Sequence, residues 1–176
     1  VAFNLVDTYF IGQLGTQQLA AMSFTFPVVM TIASLAQGLG VGASAVISRV
    51  IGQGNQGEVR RLTTHALLLS VLLVAMFAIL GLFSIDAIFR FLGASPEVLP
   101  LVREYMVIWF LGVVVVVVPM VGNSAIRATG DTKTPSIIML VAVILNVILD
   151  PLLIFGWGPI PRMELAGAAL ASVLAR

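Results

Sequence analysis

Two acidic residues are the first candidates for chemistry, because each interrupts a long apolar stretch. Asp7 lies five residues before Gly12, and Asp150 lies six residues before Gly156. An ionised aspartate at the centre of a membrane helix costs roughly 2.5–3.5 kcal/mol, so such residues usually serve a function. If both stretches are helices that run the same way, a rise of about 1.5 Å per residue places the carboxyl groups about 7.5 and 9 Å from their ends. We therefore expect the two groups at the same depth.

Further oxygen donors lie beside this acidic pair. Asn146 is one turn before Asp150 on the same helix face, and its amide oxygen can coordinate a cation or accept a hydrogen bond from a protonated carboxyl group. Ser172 reaches a similar depth on a later helix. Pro151 has no amide hydrogen for the carbonyl one turn earlier, so we expect a helix bend and a free carbonyl there. This oxygen-rich set predicts a proton relay or a Na⁺ site at Asp7, Asn146 and Asp150.

The composition indicates that these groups belong to a membrane protein. Of the 176 residues, 60% are hydrophobic and only 10% are charged, against roughly 45–50% and about 25% in soluble domains. Nine Lys and Arg against eight Asp and Glu leave a net charge of +1, which predicts no nucleic-acid partner. The absence of cysteine excludes disulfides and thiolate sites. The sequence also has no catalytic triad, zinc motif or phosphate loop, so we expect neither an enzyme nor a cofactor.

The breaks in apolarity predict an all-α polytopic membrane protein with five spans and the start of a sixth. The predicted helices cover residues 1–11, 19–48, 62–83, 105–126, 135–155 and 165–176. The pairs Ser95-Pro96 and Thr134-Pro135 are typical of helix starts, with a hydroxyl cap before a proline. Because the sequence opens and closes inside apolar runs, we expect a piece of a longer membrane protein.

The distribution of Lys and Arg predicts the orientation in the bilayer. One set of predicted loops carries five cations, which are Arg49, Arg60, Arg61, Arg127 and Lys133. The opposite loops carry three, which are Arg90, Arg103 and Arg162. The positive-inside rule places the first set in the cytoplasm, in a multi-pass protein of the inner (plasma) membrane.

Small residues recur on two predicted helices and indicate close packing. Gly38, Gly40 and Gly42 lie on the second span, and residues 166–169 lie on the sixth. Without a hydrophobic driving force in lipid, membrane helices associate through such small residues, which let backbones approach closely. We expect all these positions to pack against neighbouring helices.

Five segments in order along the chain resemble the multidrug and toxic compound extrusion (MATE) family. They are VDTYFIGQLG at 6–15, IGQGN at 51–55, RATGDTKTP at 127–135, NVILDPLLIFG at 146–156 and GAALAS at 167–172. The resemblance implies a transporter of twelve helices in two six-helix lobes. This chain would be most of the amino-terminal lobe, with the carboxy-terminal lobe absent.

The resemblance also implies a function and a site. Family members are secondary exporters that exchange Na⁺ or H⁺ for drug-like, often cationic amphipathic compounds, and we expect a full-length monomer. In prokaryotic members the coupling-ion site of this lobe uses an Asp on helix one, an Asn and an Asp four apart on helix five, and a Thr on helix six. The matching residues here are Asp7, Asn146, Asp150 and Ser172. Serine in place of threonine keeps the hydroxyl and loses a methyl group.

Three other functions stay open at this point, and the third of them is an intramembrane enzyme. A flippase for lipid-linked sugars would belong to the same superfamily, and it should present a cationic cavity to a pyrophosphate. We expect no Lys or Arg inside a span, which favours the exporter. An ion channel subunit is the alternative from another class, and single-channel currents would distinguish it from saturable exchange.

Overall fold

The computed structural model describes residues 2–156 and 162–176, with side chains from residue 7 onward. Every regular element in these ranges is a helix, which confirms the all-α prediction. In chain order the helices are α1 (Ala2–Gly12), α2 (Thr16–Gly52), α3 (Gln56–Phe91), α4 (Leu99–Ala128), α5 (Lys133–Ile154) and α6 (Glu164–Leu174). The four helices α2 to α5 are long and apolar enough to cross a membrane, whereas α1 and α6 have 11 residues each.

Helix α4 lies at the centre of the bundle. It packs mainly against α2, α3 and α6, while α1 packs against α5, α2 and α6. The buried face of α4 supplies much of the core, with Val102, Met106, Trp109, Phe110, Val113 and Val117. Because lipid tails are as apolar as this core, shape and close contact hold the helices together more than exclusion from water does.

Glycines mark the places where helices approach most closely. A Cβ atom on Gly167 of α6 would lie 2.5 Å from the carbonyl oxygen of Leu153, so the backbones of α5 and α6 nearly touch there. Gly81 of α3 similarly makes room for the ring of Phe110. The predicted close packing of residues 166–169 is therefore observed, and it fixes α6 against α5.

The small residues of α2 behave differently from one another. A Cβ atom on Gly40 would lie 2.5 Å from the hydroxyl oxygen of Ser124, so Gly40 packs tightly on α4. Gly38 and Gly42 have open space at that position, with no atom within 4 Å. The prediction that all three pack closely is wrong for these two, because the helix turns them away from α4.

Helices α2 and α3 extend well beyond the predicted spans 19–48 and 62–83. Three cations that we placed in a loop therefore lie on helices, with Arg49 near the end of α2 and Arg60 and Arg61 near the start of α3. The side chain of Asn55 caps α3 by accepting a hydrogen bond from the backbone N–H of Glu58, at 3.2 Å. Helical hydrogen bonding continues into water wherever a cap supports it, whereas hydropathy marks only the apolar part.

The starts of α4 and α5 also differ from the predicted caps. Helix α4 begins at Leu99 rather than after Ser95, because residues 95–98 form a turn. Helix α5 begins at Lys133, and Asp131 instead of Thr134 caps it. Its carboxylate accepts hydrogen bonds from the backbone N–H groups of Lys133 and Thr134, both at 3.0 Å. A carboxylate two residues upstream satisfies two free donors at once, which a hydroxyl at the helix start does not.

Candidate functional site

The four predicted site residues come together where α1, α5 and α6 meet. Asp7 lies on α1, Asn146 and Asp150 lie on α5, and Ser172 lies on α6. Their exposed fractions are 2%, 0%, 0% and 4% respectively, so all four side chains are buried. The close approach of α6 to α5 at Gly167 holds Ser172 near the acidic pair. We call these four residues the acidic cluster.

Hydrogen bonds join the members of the acidic cluster directly. The Nδ2 atom of Asn146 donates to Asp150 Oδ1 at 3.1 Å and, over a longer 3.4 Å, to Asp7 Oδ1. The hydroxyl of Ser172 donates to Asp7 Oδ2 at 2.8 Å. One amide thus bridges two carboxyl groups from helices that are far apart in sequence. This bridge requires the matched depth of Asp7 and Asp150.

The amide of Asn146 holds the two carboxyl groups close to each other, because it donates to both. A proton on one of the two groups would allow it to donate a hydrogen bond, whereas two carboxylates offer only acceptors. Two buried like charges without that proton would repel each other strongly in a medium of low dielectric constant. The arrangement can therefore hold either a shared proton or a cation that neutralises the pair.

Two oxygen atoms of the acidic cluster have no hydrogen-bond partner within the described part of the chain. They are Asn146 Oδ1 and Asp150 Oδ2, both fully buried. A buried acceptor without a hydrogen bond costs about 1–3 kcal/mol, so a bound ion or proton is a suitable partner for each of these atoms. Carboxylate, amide and hydroxyl oxygens suit hard cations such as Na⁺. Among the described residues, no group of three or more His, Cys, Asp or Glu side chains could hold a transition metal.

Pro151 lies inside α5 and does not end it, since the helix continues to Ile154. Its missing N–H leaves the carbonyl one turn earlier without the usual helical hydrogen bond. That carbonyl belongs to Val147, on the turn between Asn146 and Asp150. The bend that we expect at Pro151 stays a prediction.

Two residues near the acidic cluster were not found from the sequence. Tyr105 of α4 is buried and lies within electrostatic range of Asp7 and Asp150. Arg176 is half-buried and interacts electrostatically with Asp7. Arg176 lies beyond the end of α6 at Leu174, so the prediction that no Lys or Arg lies inside a span stays a prediction. The position of Arg176, four residues after Ser172, was the signal in the sequence.

A comparison with known protein families shows to which family the chain belongs. The model of the MatE family matches residues 1–152. The chain belongs to the MATE family. Its members are transporters rather than enzymes, which confirms that prediction, and with the four spans α2 to α5 the family makes this a multi-pass membrane protein.

Individual MATE relatives match nearly the whole chain. The chain is 49% identical over 173 residues to a protein named FAD transporter from Shewanella oneidensis. It is 31% identical over 175 residues to the multidrug export protein MepA of Staphylococcus aureus. These alignments cover 98% and 99% of the chain but 38% of each relative. The chain thus spans about two-fifths of the length of these relatives.

Solved MATE structures share this fold. A crystal structure of MATE in the bent conformation superposes with a TM-score of 0.91 at 36% identity, over 98% of this chain and 38% of that one. The bent form of the Vibrio cholerae MATE transporter VcmN gives a TM-score of 0.92 at 34% identity, over 99% and 39%. The membership and the all-helical lobe predicted from the sequence are both confirmed.

Proposed function

We propose that this chain is the amino-terminal lobe of a twelve-helix exporter, whose acidic cluster couples inward movement of Na⁺ or H⁺ to outward transport of a small molecule. The observation that carries the proposal is the buried carboxyl pair of Asp7 and Asp150, bridged by the amide of Asn146. Ionisable groups inside a membrane bundle mark ion or proton pathways. The rest of the reading frame should then contain a second set of six apolar helices.

Coupling arises if the ion and the substrate favour different arrangements of the lobe. A proton or a Na⁺ ion relieves the repulsion between the two carboxylates and so stabilises one packing of α1, α5 and α6. Loss of that ion leaves two buried negative charges, which favours an arrangement that admits water. A ligand shifts a conformational equilibrium only by its difference in affinity between the two states. The cluster supplies such a difference at the meeting point of three helices.

The substrate is a small molecule, and two classes are candidates. Similarity to multidrug exporters such as MepA supports a drug-like, often cationic amphipathic compound. The higher identity of 49% to a FAD transporter supports a flavin dinucleotide as the second candidate. We propose transport by a full-length monomer in the lipid bilayer of the inner (plasma) membrane, with Na⁺ or H⁺ as the coupling ion.

The decisive experiment uses the full-length protein in proteoliposomes with an imposed Na⁺ or pH gradient. Asp7→Asn and Asp150→Asn should each abolish gradient-driven transport of a cationic dye and of FAD, because a neutral amide takes up no proton and offers no negative charge to Na⁺. Asp86→Asn is the matched control, since Asp86 is partly exposed and its ion pair with Arg103 is weak, at 3.4 Å. That variant should transport like the wild type.

Each result separates the proposal from its rivals. Wild-type transport by Asp150→Asn at matched expression would remove Asp150 from the mechanism. Transport that ignores both gradients would contradict coupling at the cluster. Single-channel currents would favour a channel subunit, and movement of lipid-linked sugars would favour the flippase. The relative rates for the dye and for FAD decide between the two substrate classes.

A further inference from the structure

An open groove runs between α2 and α3, away from the acidic cluster. Its volume is about 590 Å³, within the range of roughly 300–1,000 Å³ that is typical of small-ligand sites. Most of its lining is apolar, and it includes Ser34, Gly38 and Gly42 on α2 and Leu62, His65 and Leu69 on α3. Gly38 and Gly42 have no atom within 4 Å of a Cβ position, so the groove is open at these two residues. We call this feature the α2–α3 groove.

The length of the α2–α3 groove matches one leaflet of a bilayer. Ser34 is the middle residue of α2, which extends from Thr16 to Gly52. From Ser34 to Val46 the helix rises about 18 Å, and the hydrocarbon of one leaflet is about 15 Å thick. If the middle of α2 lies at the bilayer centre, the groove extends from that centre to the headgroup region.

Two arginines stand at the headgroup end of this groove. Arg49 lies seven residues after Gly42, and Arg61 lies four residues before His65, so each continues its groove-lining face. Arg49 is about 22 Å from the middle of α2. The uncharged part of α3 lies between Arg61 and Asp86, and Arg61 is about 19 Å from its middle. Both depths fall in the headgroup layer.

These two arginines are available to an external anion. Both are exposed, and the ion pairs among the described residues join other side chains, Arg103 with Asp86 and Arg162 with Glu164. The nearest acidic side chain in sequence is Glu58, one turn before Arg61. Its carboxylate already accepts a hydrogen bond from Asn55 at 3.1 Å.

The α2–α3 groove adjoins a surface that suits lipid. Beyond Leu69, the exposed large hydrophobic residues of α3 include Leu72, at 68%, and Phe83, at 88%. This apolar surface continues from the apolar lining of the groove, which favours an acyl chain as the occupant.

We propose that the α2–α3 groove binds one anionic phospholipid from the leaflet on the cation-rich side. One acyl chain lies against Gly38 and Gly42, and the phosphate lies between Arg49 and Arg61. Basic residues at the cytoplasmic end of transmembrane helices attract anionic headgroups in this way. The proposal is independent of the coupling chemistry at the acidic cluster.

The test titrates the purified full-length protein in detergent with phosphatidylglycerol and, separately, with phosphatidylcholine of the same acyl chains. Native mass spectrometry counts the bound lipids. The wild type should bind one phosphatidylglycerol several-fold more tightly than phosphatidylcholine. Arg49→Gln and Arg61→Gln should each weaken that binding roughly five-fold. Arg90→Gln, at the far end of α3, is the matched control and should have no effect.

A second pair of variants tests the groove itself. Gly38→Leu with Gly42→Leu should abolish the tight site by filling the groove. Gly122→Leu on α4 adds the same side chain where no atom lies within 4 Å, and it should leave lipid binding intact. Equal affinity for both lipids, or unchanged binding in both the arginine and the groove variants, would overturn the proposal. A wild type that binds no lipid would also overturn it. If Gly42→Cys then resists a lipid-soluble maleimide, another part of the protein fills the groove.

Discussion

The contribution of Ser172 to ion binding by the acidic cluster can be tested by removing one atom, its hydroxyl oxygen. Its hydroxyl donates to Asp7 Oδ2 at 2.8 Å, in a site where both side chains are buried. A hydrogen bond to a charged group contributes about 1.5–3 kcal/mol, more than a neutral pair does. The same oxygen can turn a lone pair toward a cation, because a hydroxyl both donates and accepts. Ser172 should therefore influence ion affinity more than it influences the fold.

We predict that Ser172→Ala weakens the apparent affinity for the coupling ion by about ten-fold or more, from the loss of that hydrogen bond. Ser172→Thr retains the hydroxyl and should stay within a few-fold of the wild type. The measurement is the concentration of Na⁺ or H⁺ that gives half-maximal transport in proteoliposomes. Ser136→Ala is the control, since that exposed hydroxyl only donates to the backbone of Thr132. Equal ion affinities for Ala and Thr at position 172 would contradict this role.

At the scale of elements, the contact of α6 with α5 positions the acidic cluster. Gly167 allows the two backbones to approach, because a Cβ atom there would lie 2.5 Å from Leu153 O and 2.6 Å from Leu153 C. Backbone atoms cannot rotate away as a flexible side chain can. Any side chain at this position must therefore separate the helices, and Ser172 would move with α6.

We predict that Gly167→Ala destabilises the full-length protein by about 1–3 kcal/mol, as overpacking of a tight contact typically does. Gly122→Ala should be neutral or slightly stabilising, because alanine favours the helix and no atom lies within 4 Å. Thermal unfolding in detergent measures both variants. An unchanged Tm for Gly167→Ala would show that α5 and α6 do not pack as closely as described.

The start of α5 depends on the ionised form of Asp131, which lies outside the membrane-spanning part of that helix. Hydrogen bonds from the side chain and the backbone of Thr134, and from the backbone of Lys133, lower the pKa of Asp131 from its ordinary value of 3.8. A lowered pKa in the folded state means that the cap is present at neutral pH. Its contribution is lost as the pH falls through that lowered value.

We therefore predict that Asp131→Ala speeds amide exchange in the first turn of α5 at pH 7, measured by hydrogen–deuterium exchange on residues 132–136. The difference from the wild type should disappear once the pH is well below 3.8, where wild-type Asp131 is protonated too. Asp131→Asn keeps an acceptor at this position and should protect the turn at every pH. Identical exchange in Asp131→Ala and the wild type at pH 7 would refute the cap.

At the scale of the whole molecule, the distribution of cations decides the orientation. Of the nine Lys and Arg residues, five lie toward one end of the bundle and three toward the other, and the ninth, Arg176, lies beside the acidic cluster. Gln56, at the start of α3, and Gly93, just after its end, are exposed at opposite ends. These two positions can therefore report which end faces the cytoplasm.

We predict that an impermeant maleimide applied to intact cells labels Gly93→Cys and leaves Gln56→Cys unlabelled, in a full-length protein with no other cysteine. A permeant maleimide should label both, which controls for reactivity. Labelling of Gln56→Cys alone from outside would reverse the topology, and labelling of both from outside would contradict the alternation of the spans.

The sequence by itself determined the class of molecule and the key pair of residues. The chain has too few charged residues to cover the surface of a soluble domain, and its apolar runs are long enough to cross a bilayer. These two features indicate a helical membrane protein. Because the rise of a helix is fixed, residue counting placed Asp7 and Asp150 at one depth. The depth of a residue depends only on its distance from the end of its own helix, so it can be predicted without knowing which helices are neighbours.

Only the tertiary structure decided which groups touch. The bond from Asn146 to Asp7 joins residues 139 positions apart, and it depends on the packing of α1 against α5. Other contacts in the bundle bring Tyr105 and Arg176 toward the cluster, and the packing of α2 on α3 leaves Gly38 and Gly42 in an open groove. Hydropathy reports the transfer of single residues into lipid and carries no information on which helix faces pair. These contacts therefore follow from the three-dimensional packing of the whole bundle.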